Sequence, residues 1–106
     1  MRALFFLLFI FPLLALSAPI SIQDQVEVTA TTTSTLAVSA DKFRNYLLIQ
    51  NKGSVGVYVK FGSASTGTEG VYIIAGGNYE PFQSPTSAVY VKSASSTSDL
   101  TIITGR

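Results

Sequence analysis

The side chains that could do chemistry in this sequence are few, and their types exclude more than they allow. There is no histidine and no cysteine, which removes the commonest general base, the commonest zinc ligand, thiol nucleophiles and disulfides together. Acid–base work would fall to six carboxylates, Asp24, Glu27, Asp41, Glu69, Glu80 and Asp99, and a hydrolase built on them needs a facing pair. They show no motif spacing, and carboxylates at strand ends and in loops are ordinarily solvated. Serines are abundant, but none sits in a G-x-S-x-G elbow. The expectation is a protein that is not an enzyme, with no catalytic residue and no cofactor.

Ion and phosphate sites fare no better. Glu69 lies in the small, polar run 62–70 (GSASTGTEG) without an acidic neighbour, so a calcium site of six or more oxygens would have to draw on distant loops. Gly53, Gly62 and Gly76-Gly77 are turn glycines, since no Walker lysine or helix follows them. Seven basic residues against six acidic leave a net charge of +1. Lys42, Arg44, Lys52, Lys60, Lys92 and Arg106 are spread along the chain and form no stripe, so electrostatics predicts no nucleic-acid partner.

One constellation stands out. Val-Tyr-Val-Lys occurs at 57–60 and again at 89–92. In a strand, period two sends Val57, Val59 and Phe61, and likewise Val89 and Val91, to one face. Tyr58, Lys60, Tyr90 and Lys92 then share the other, with Tyr46 and Tyr72 as candidate neighbours. Such a face could stack on sugar rings or form a protein interface, because tyrosine offers large area at low entropic cost. The structural alternative is cross-strand tyrosine packing, with lysine tips in water blocking edge-to-edge aggregation.

The elements that must position these residues are strands. Period-two or short apolar runs occupy 26–33, 35–39, 45–51, 55–61, 71–75, 88–92 and 100–104, separated by Gly, Ser, Thr, Asn and Pro. Seven to eight short strands without intervening helices predict an all-β fold, an antiparallel β-sandwich of jelly-roll or Ig-like type. Leu47, Ile49, Ile73, Leu100 and Ile102 should face the valines across its core. Asn51-Lys52-Gly53-Ser54 carries turn chemistry and predicts a hairpin over 46–61. Pro81 and Pro85 make 81–85 a crossing or an edge, and 62–70 should be an exposed, mobile loop.

Ahead of this domain, assigned to 21–106, residues 1–20 carry one charge, at Arg2. The pattern fits an export signal cleaved after Ser17, with Pro19 disfavouring cleavage after Ala18. It fits equally a retained helical anchor or arm, with Leu4, Phe5, Phe6, Leu7, Leu8, Phe9, Ile10 and Phe11 as its apolar centre, since 3–22 has about the length of a bilayer crossing. Pro12 would kink such a helix without forbidding it.

The words RNYLLIQN (44–51), GS (53–54), VYVKFG (57–62), GVYII (70–74), GGNYE (76–80), AVYV (88–91) and LTIIT (100–104) resemble a pattern in small virion-associated proteins of bacteriophages, covering about three fifths of the chain. The resemblance implies a structural β-sandwich of the decoration or minor capsid kind, docking to capsid or tail subunits in symmetric copies. It carries no catalytic residue across. The apolar start departs from that pattern and implies either a membrane contact through 3–20 or an arm buried among subunits. The competing expectation is an exported carbohydrate-binding or adhesion module whose signal peptide is cleaved after Ser17; in place of the virion, the chain would then be secreted, or membrane-anchored where the segment is retained.

Overall fold

The computed structural model describes residues 23–106; the apolar segment 1–20, with its candidate anchor Leu4 to Phe11, lies outside the described residues. Eight strands follow: β1 Gln23–Ala30, β2 Thr35–Val38, β3 Tyr46–Asn51, β4 Val57–Phe61, β5 Val71–Ile73, β6 Asn78–Tyr79, β7 Val89–Ser93 and β8 Ser98–Gly105. No helix occurs among the described residues. The strands form two antiparallel sheets, ordered β1-β8-β3-β6 and β2-β7-β4-β5, packed face to face as a sandwich.

The pairing follows a simple rule. β4 pairs with β5, β3 with β6, β2 with β7 and β1 with β8, as if one long double ribbon had been folded about the β4–β5 loop. Successive ribbon segments fall alternately into the two sheets, and the pairs β3–β8 and β4–β7 close each sheet.

Burial drives this winding. Leu47 and Ile49 of β3, Leu100 and Ile102 of β8, Val57 and Val59 of β4, and Val89 and Val91 of β7 are completely buried. Ile73 and Ala30 complete the cluster, with Phe61, Val71, Val28 and Tyr79 packed on its rim. Each such side chain withdrawn from water contributes about 1.5–3 kcal/mol, and a one-residue slip of either copy of Val-Tyr-Val-Lys would forfeit it. The period-two reading therefore holds for both copies.

One sequence expectation is corrected. The hairpin over 46–61 does not form: β3 lies between β8 and β6, β4 lies between β7 and β5, and residues 52–56 cross from one sheet to the other. Each strand is central in its own sheet, which buries more apolar surface than an isolated hairpin could. The Gly76-Gly77-Asn78 turn is real, with Gly76 at a φ of 77°, but Asn78 also opens the two-residue strand β6.

The sandwich has two differently built ends. At one, Asn51 of β3 meets the 52–56 crossing, Ile73, Ile74 and Ser98. At the other, Gln23 and Tyr46 both lie opposite Gly105, and the connectors 39–45 and 80–88 meet there, with the Asp41 amide donating to Thr86 O at 2.8 Å.

Candidate functional site

The outer face of the sheet β2-β7-β4-β5 collects the residues singled out by the sequence. Register places Tyr58 opposite Lys92 and Lys60 opposite Tyr90, so tyrosines and lysines alternate in a checkerboard across the β4–β7 seam. Tyr72 of β5 lies opposite Tyr58, their ring centroids 4.9 Å apart and tilted by 50°. Leu36 of β2 extends the Tyr90 row. Tyr58, Lys60, Tyr90 and Lys92 thus share one face, and Tyr72 joins them; Tyr46 lies on the other sheet.

The lysines are not held out to water as expected. Lys60 Nζ reaches Glu69 Oε1 at 3.1 Å, and Lys92 Nζ donates to Gly67 O at 3.0 Å. Both contacts come from the connector 62–70, which folds back across the sheet. Its Ser65 is buried, with its amide donating to Ser34 Oγ at 3.0 Å. The Thr66 amide donates to Glu69 Oε1 at 3.0 Å. That bond and the Lys60 ammonium hold the Glu69 carboxyl below its usual range. The loop is otherwise exposed, as anticipated, but it is tethered through side chains whose composition looked merely polar. A backbone carbonyl such as that of Gly67 leaves no trace in composition, which is why the lysine contact was not foreseen.

Gly70 makes the return possible. Its φ is 101°, and a Cβ there would lie 2.2 Å from Val59 O, so only glycine brings the loop this close to β4. The surface left accessible on this face is Leu36, 52% exposed, and Tyr72, 50% exposed, beside the half-buried Tyr58 and Tyr90.

Two polar residues that sequence reading assigned to a turn and to scattered surface cations are buried hubs. Asn51 Nδ2 donates to Val55 O at 2.8 Å, Ile73 O at 3.1 Å and Ile74 O at 3.2 Å. Asn51 Oδ1 accepts from the Gly53 amide at 3.1 Å and from Ser98 Oγ at 2.6 Å. Arg44 sends Nη1 to Pro85 O at 2.7 Å and Ser87 O at 3.0 Å, and Nη2 to Ser39 O at 2.7 Å. Burial pushes its guanidinium pKa downward, opposed by nearby Asp41. Arg44 is separated from Pro85 by 41 positions, and no local pattern announces that contact.

Four of the other five carboxylates take separate partners, and the fifth, Asp24, lines a small hollow together with Asp41 and Arg106. Glu27 on the opposite outer face takes Lys52 and Thr101, which hold it below its ordinary value. Glu80 accepts from Tyr46 Oη at 2.6 Å, and that bond raises the phenol. Asp99 accepts from Thr29 Oγ1 at 2.9 Å, and Asp41 lies 3.4 Å from Arg106. Among the described residues no three acidic side chains converge on a metal-sized space.

No protein-family model matches the chain, and no curated protein is similar to it. Among solved structures, a chain from the work titled "Bacillus endospore appendages form a novel family of disulfide-linked pili" is similar at 16% identity and a TM-score of 0.45, over 83% of this chain and 89% of that one.

Proposed function

We propose that this chain is a non-enzymatic structural subunit, a jelly-roll sandwich that docks to copies of itself and to other proteins of a phage virion. The winding supports the jelly-roll reading over the Ig-like one, because strand pairs 4–5, 3–6, 2–7 and 1–8 alternate between two four-stranded sheets. Five of the six carboxylates are each bonded to their own partners on the two outer faces and one end, which supports a role without catalysis.

The observation that carries docking is the inequality of the sheet edges. β5 has three residues, β6 has two and runs into Pro81, and β2 has four with a bulge between Leu36 and Val38. Short strands, prolines and bulges are the usual protections of an edge. β1 has none of these three: it runs for eight residues in unbroken register with β8 and without proline, and its charges are the two carboxylates Asp24 and Glu27. Beside it lies an open seam of about 390 Å³, lined by Val26, Ala37, Val38 and Ile102 among others. A strand from a neighbouring copy laid on β1 would gain main-chain hydrogen bonds and place alternate side chains in that seam.

Light scattering of the purified chain over a range of concentrations tests this reading, together with mass spectrometry of purified virus particles. Wild type should form oligomers, Val26→Lys should remain monomeric with an unchanged melting temperature, and the particles should contain the chain. A wild-type monomer at every concentration and particles lacking the chain would remove the reading.

A second reading, an exported glycan-binding or adhesion module, draws on the Tyr58–Tyr72 pair and its accessible flank. Glycan-array binding lost in Tyr72→Ala and Tyr58→Ala, with an intact mass beginning at Ala18, would favour it over the subunit reading.

A further inference from the structure

The end of the sandwich opposite Asn51 presents two phenylalanine rings for which the fold has no use. Phe82 is completely exposed and Phe43 is 65% exposed. They stand on different connectors, 80–88 and 39–45, and both connectors are held firmly. Arg44 ties the second to Pro85 O and Ser87 O of the first, and the Phe43 amide donates to Asp41 Oδ1 at 3.0 Å. Phe82 borders a hollow of about 370 Å³ shared with Asn45, Tyr46, Glu80 and Pro81. Lys42 Nζ sits 5.3 Å from the centre of the Phe43 ring.

The chain enters the sandwich at this same end. Gln23, the first residue of β1, lies opposite Gly105, which lies opposite Tyr46. Immediately before Gln23, residues 3–22 are 20 in number and carry no charged side chain, the length and composition that match a hydrocarbon core. The point where that segment joins the sandwich is therefore at the end that carries Phe43 and Phe82. Aromatic and basic side chains beside an apolar span are the groups that settle at the headgroup level of a membrane.

We propose that this end of the sandwich rests on a lipid bilayer, with Phe43 and Phe82 inserted at its interface beside the point where residues 3–22 enter. The inference rests on the subunit reading above, taken with the membrane contact through 3–20 that the sequence allows. Asp24, Asp41 and Glu80 share this end with Lys42 and Arg106, so attraction is apolar rather than electrostatic. Contact should persist in neutral lipid and at 0.5 M salt, where Coulombic attraction is screened within roughly 4 Å.

The sequence contains no tryptophan, so a single one reports its own surroundings. The full chain carrying Phe82→Trp or Phe43→Trp is reconstituted with phosphatidylcholine vesicles, with and without brominated acyl chains. Ile74→Trp, at the opposite end and 64% exposed in the parent chain, is the control. All three should float with the vesicles. Only the first two should shift their emission to the blue and be quenched by bromine at least twofold more than Ile74→Trp. Flotation without shift or quenching at positions 43 and 82 would overturn the loop contact while leaving the anchor standing. Failure to float would overturn both, and particle composition would still report separately on the virion reading.

Discussion

Asn51 Nδ2 donates to Ile73 O at 3.1 Å, a hydrogen bond that joins the two sheets of the sandwich. Asn51 ends β3 in one sheet and Ile73 ends β5 in the other, so one side chain replaces the turn that would have made β3 and β4 a hairpin. The same amide oxygen collects Ser98 and Gly53. Every donor and acceptor of this buried amide has a protein partner, and its bonds to Ile73 O and Ser98 Oγ are fully buried.

Removing that hub should be costly. Asn51→Ala leaves Val55 O, Ile73 O, the Gly53 amide and Ser98 Oγ without their partner, and each buried group left unmatched costs about 1–3 kcal/mol. With partial relaxation the expected loss is about 2–4 kcal/mol, read from urea unfolding. Asn51→Asp should be at least as damaging, because it retains the acceptor but sets a carboxylate against the carbonyls that the amide nitrogen served. Equal stability of Asn51→Asp and wild type would remove the hub assignment.

Two glycines beside this hub separate rigid from yielding neighbours. A Cβ on Gly53 would fall 1.9 Å from Ser98 Oγ and 2.8 Å from Ser98 Cα, whereas one on Gly56 would meet the Tyr72 ring, 2.0 Å from its hydroxyl. The Ser98 backbone is fixed at the start of β8; the Tyr72 ring is half exposed and can swing away. Gly53→Ala should therefore cost at least the roughly 1–3 kcal/mol of an overpacked core, and Gly56→Ala clearly less. Tyr72→Ala should restore most of the Gly56→Ala loss in a double-mutant cycle and none of the Gly53→Ala loss.

Arg44 should resist conservative replacement. Its guanidinium spans three carbonyl oxygens on two connectors, a planar arrangement that an ammonium cannot reproduce. Arg44→Lys is expected to lose about 1.5–3 kcal/mol, the scale of a hydrogen bond to a charged group. Amide exchange should quicken at Asp41, whose N–H is bonded to Thr86 O across the same pair of connectors, while amides beside Asn51 stay protected. Uniform loss of protection at both ends would mean that Arg44 holds the whole sandwich and not this end.

What was legible in the sequence followed from local rules with a burial consequence. Period two in Val57–Phe61 and in 88–92 assigned every side chain to its correct face, because a strand with one buried face permits one register. Turn chemistry was read correctly as a place where the chain bends, but it does not say which strand lies alongside. Asn51 and Gly53 suit a hairpin, and equally a crossing stitched by the asparagine side chain. The lysines illustrate a second limit. Lys60 and Lys92 point outward as period two requires, yet their tips belong to the loop 62–70, whose return depends on Gly70 and on the Gly67 carbonyl. Arg44 marks a third, since a contact spanning 41 positions is set by tertiary winding alone.

The loop over the Tyr/Lys face should respond to pH with a defined sign. Glu69 is held below its ordinary value of 4.5, first by the Thr66 amide and then by Lys60. A carboxyl whose pKa is lower folded than unfolded stabilises the folded arrangement at any pH above its ordinary titration range, and that contribution disappears as pH falls through the folded-state value. The loop should thus be equally well tethered at pH 6 and pH 8 and should loosen below about 4. Amide exchange at Thr66, corrected for its intrinsic pH dependence, measures this directly. Protection should fall on acidification in wild type and be low and insensitive to pH in Glu69→Gln. Because the loop carries the carbonyl that occupies Lys92, the same substitution should also leave Lys60 and Lys92 more reactive toward an amine-directed label at neutral pH. If Glu69→Gln changes neither Thr66 exchange nor lysine labelling, the tether is carried by Ser65 and its bond to Ser34 instead.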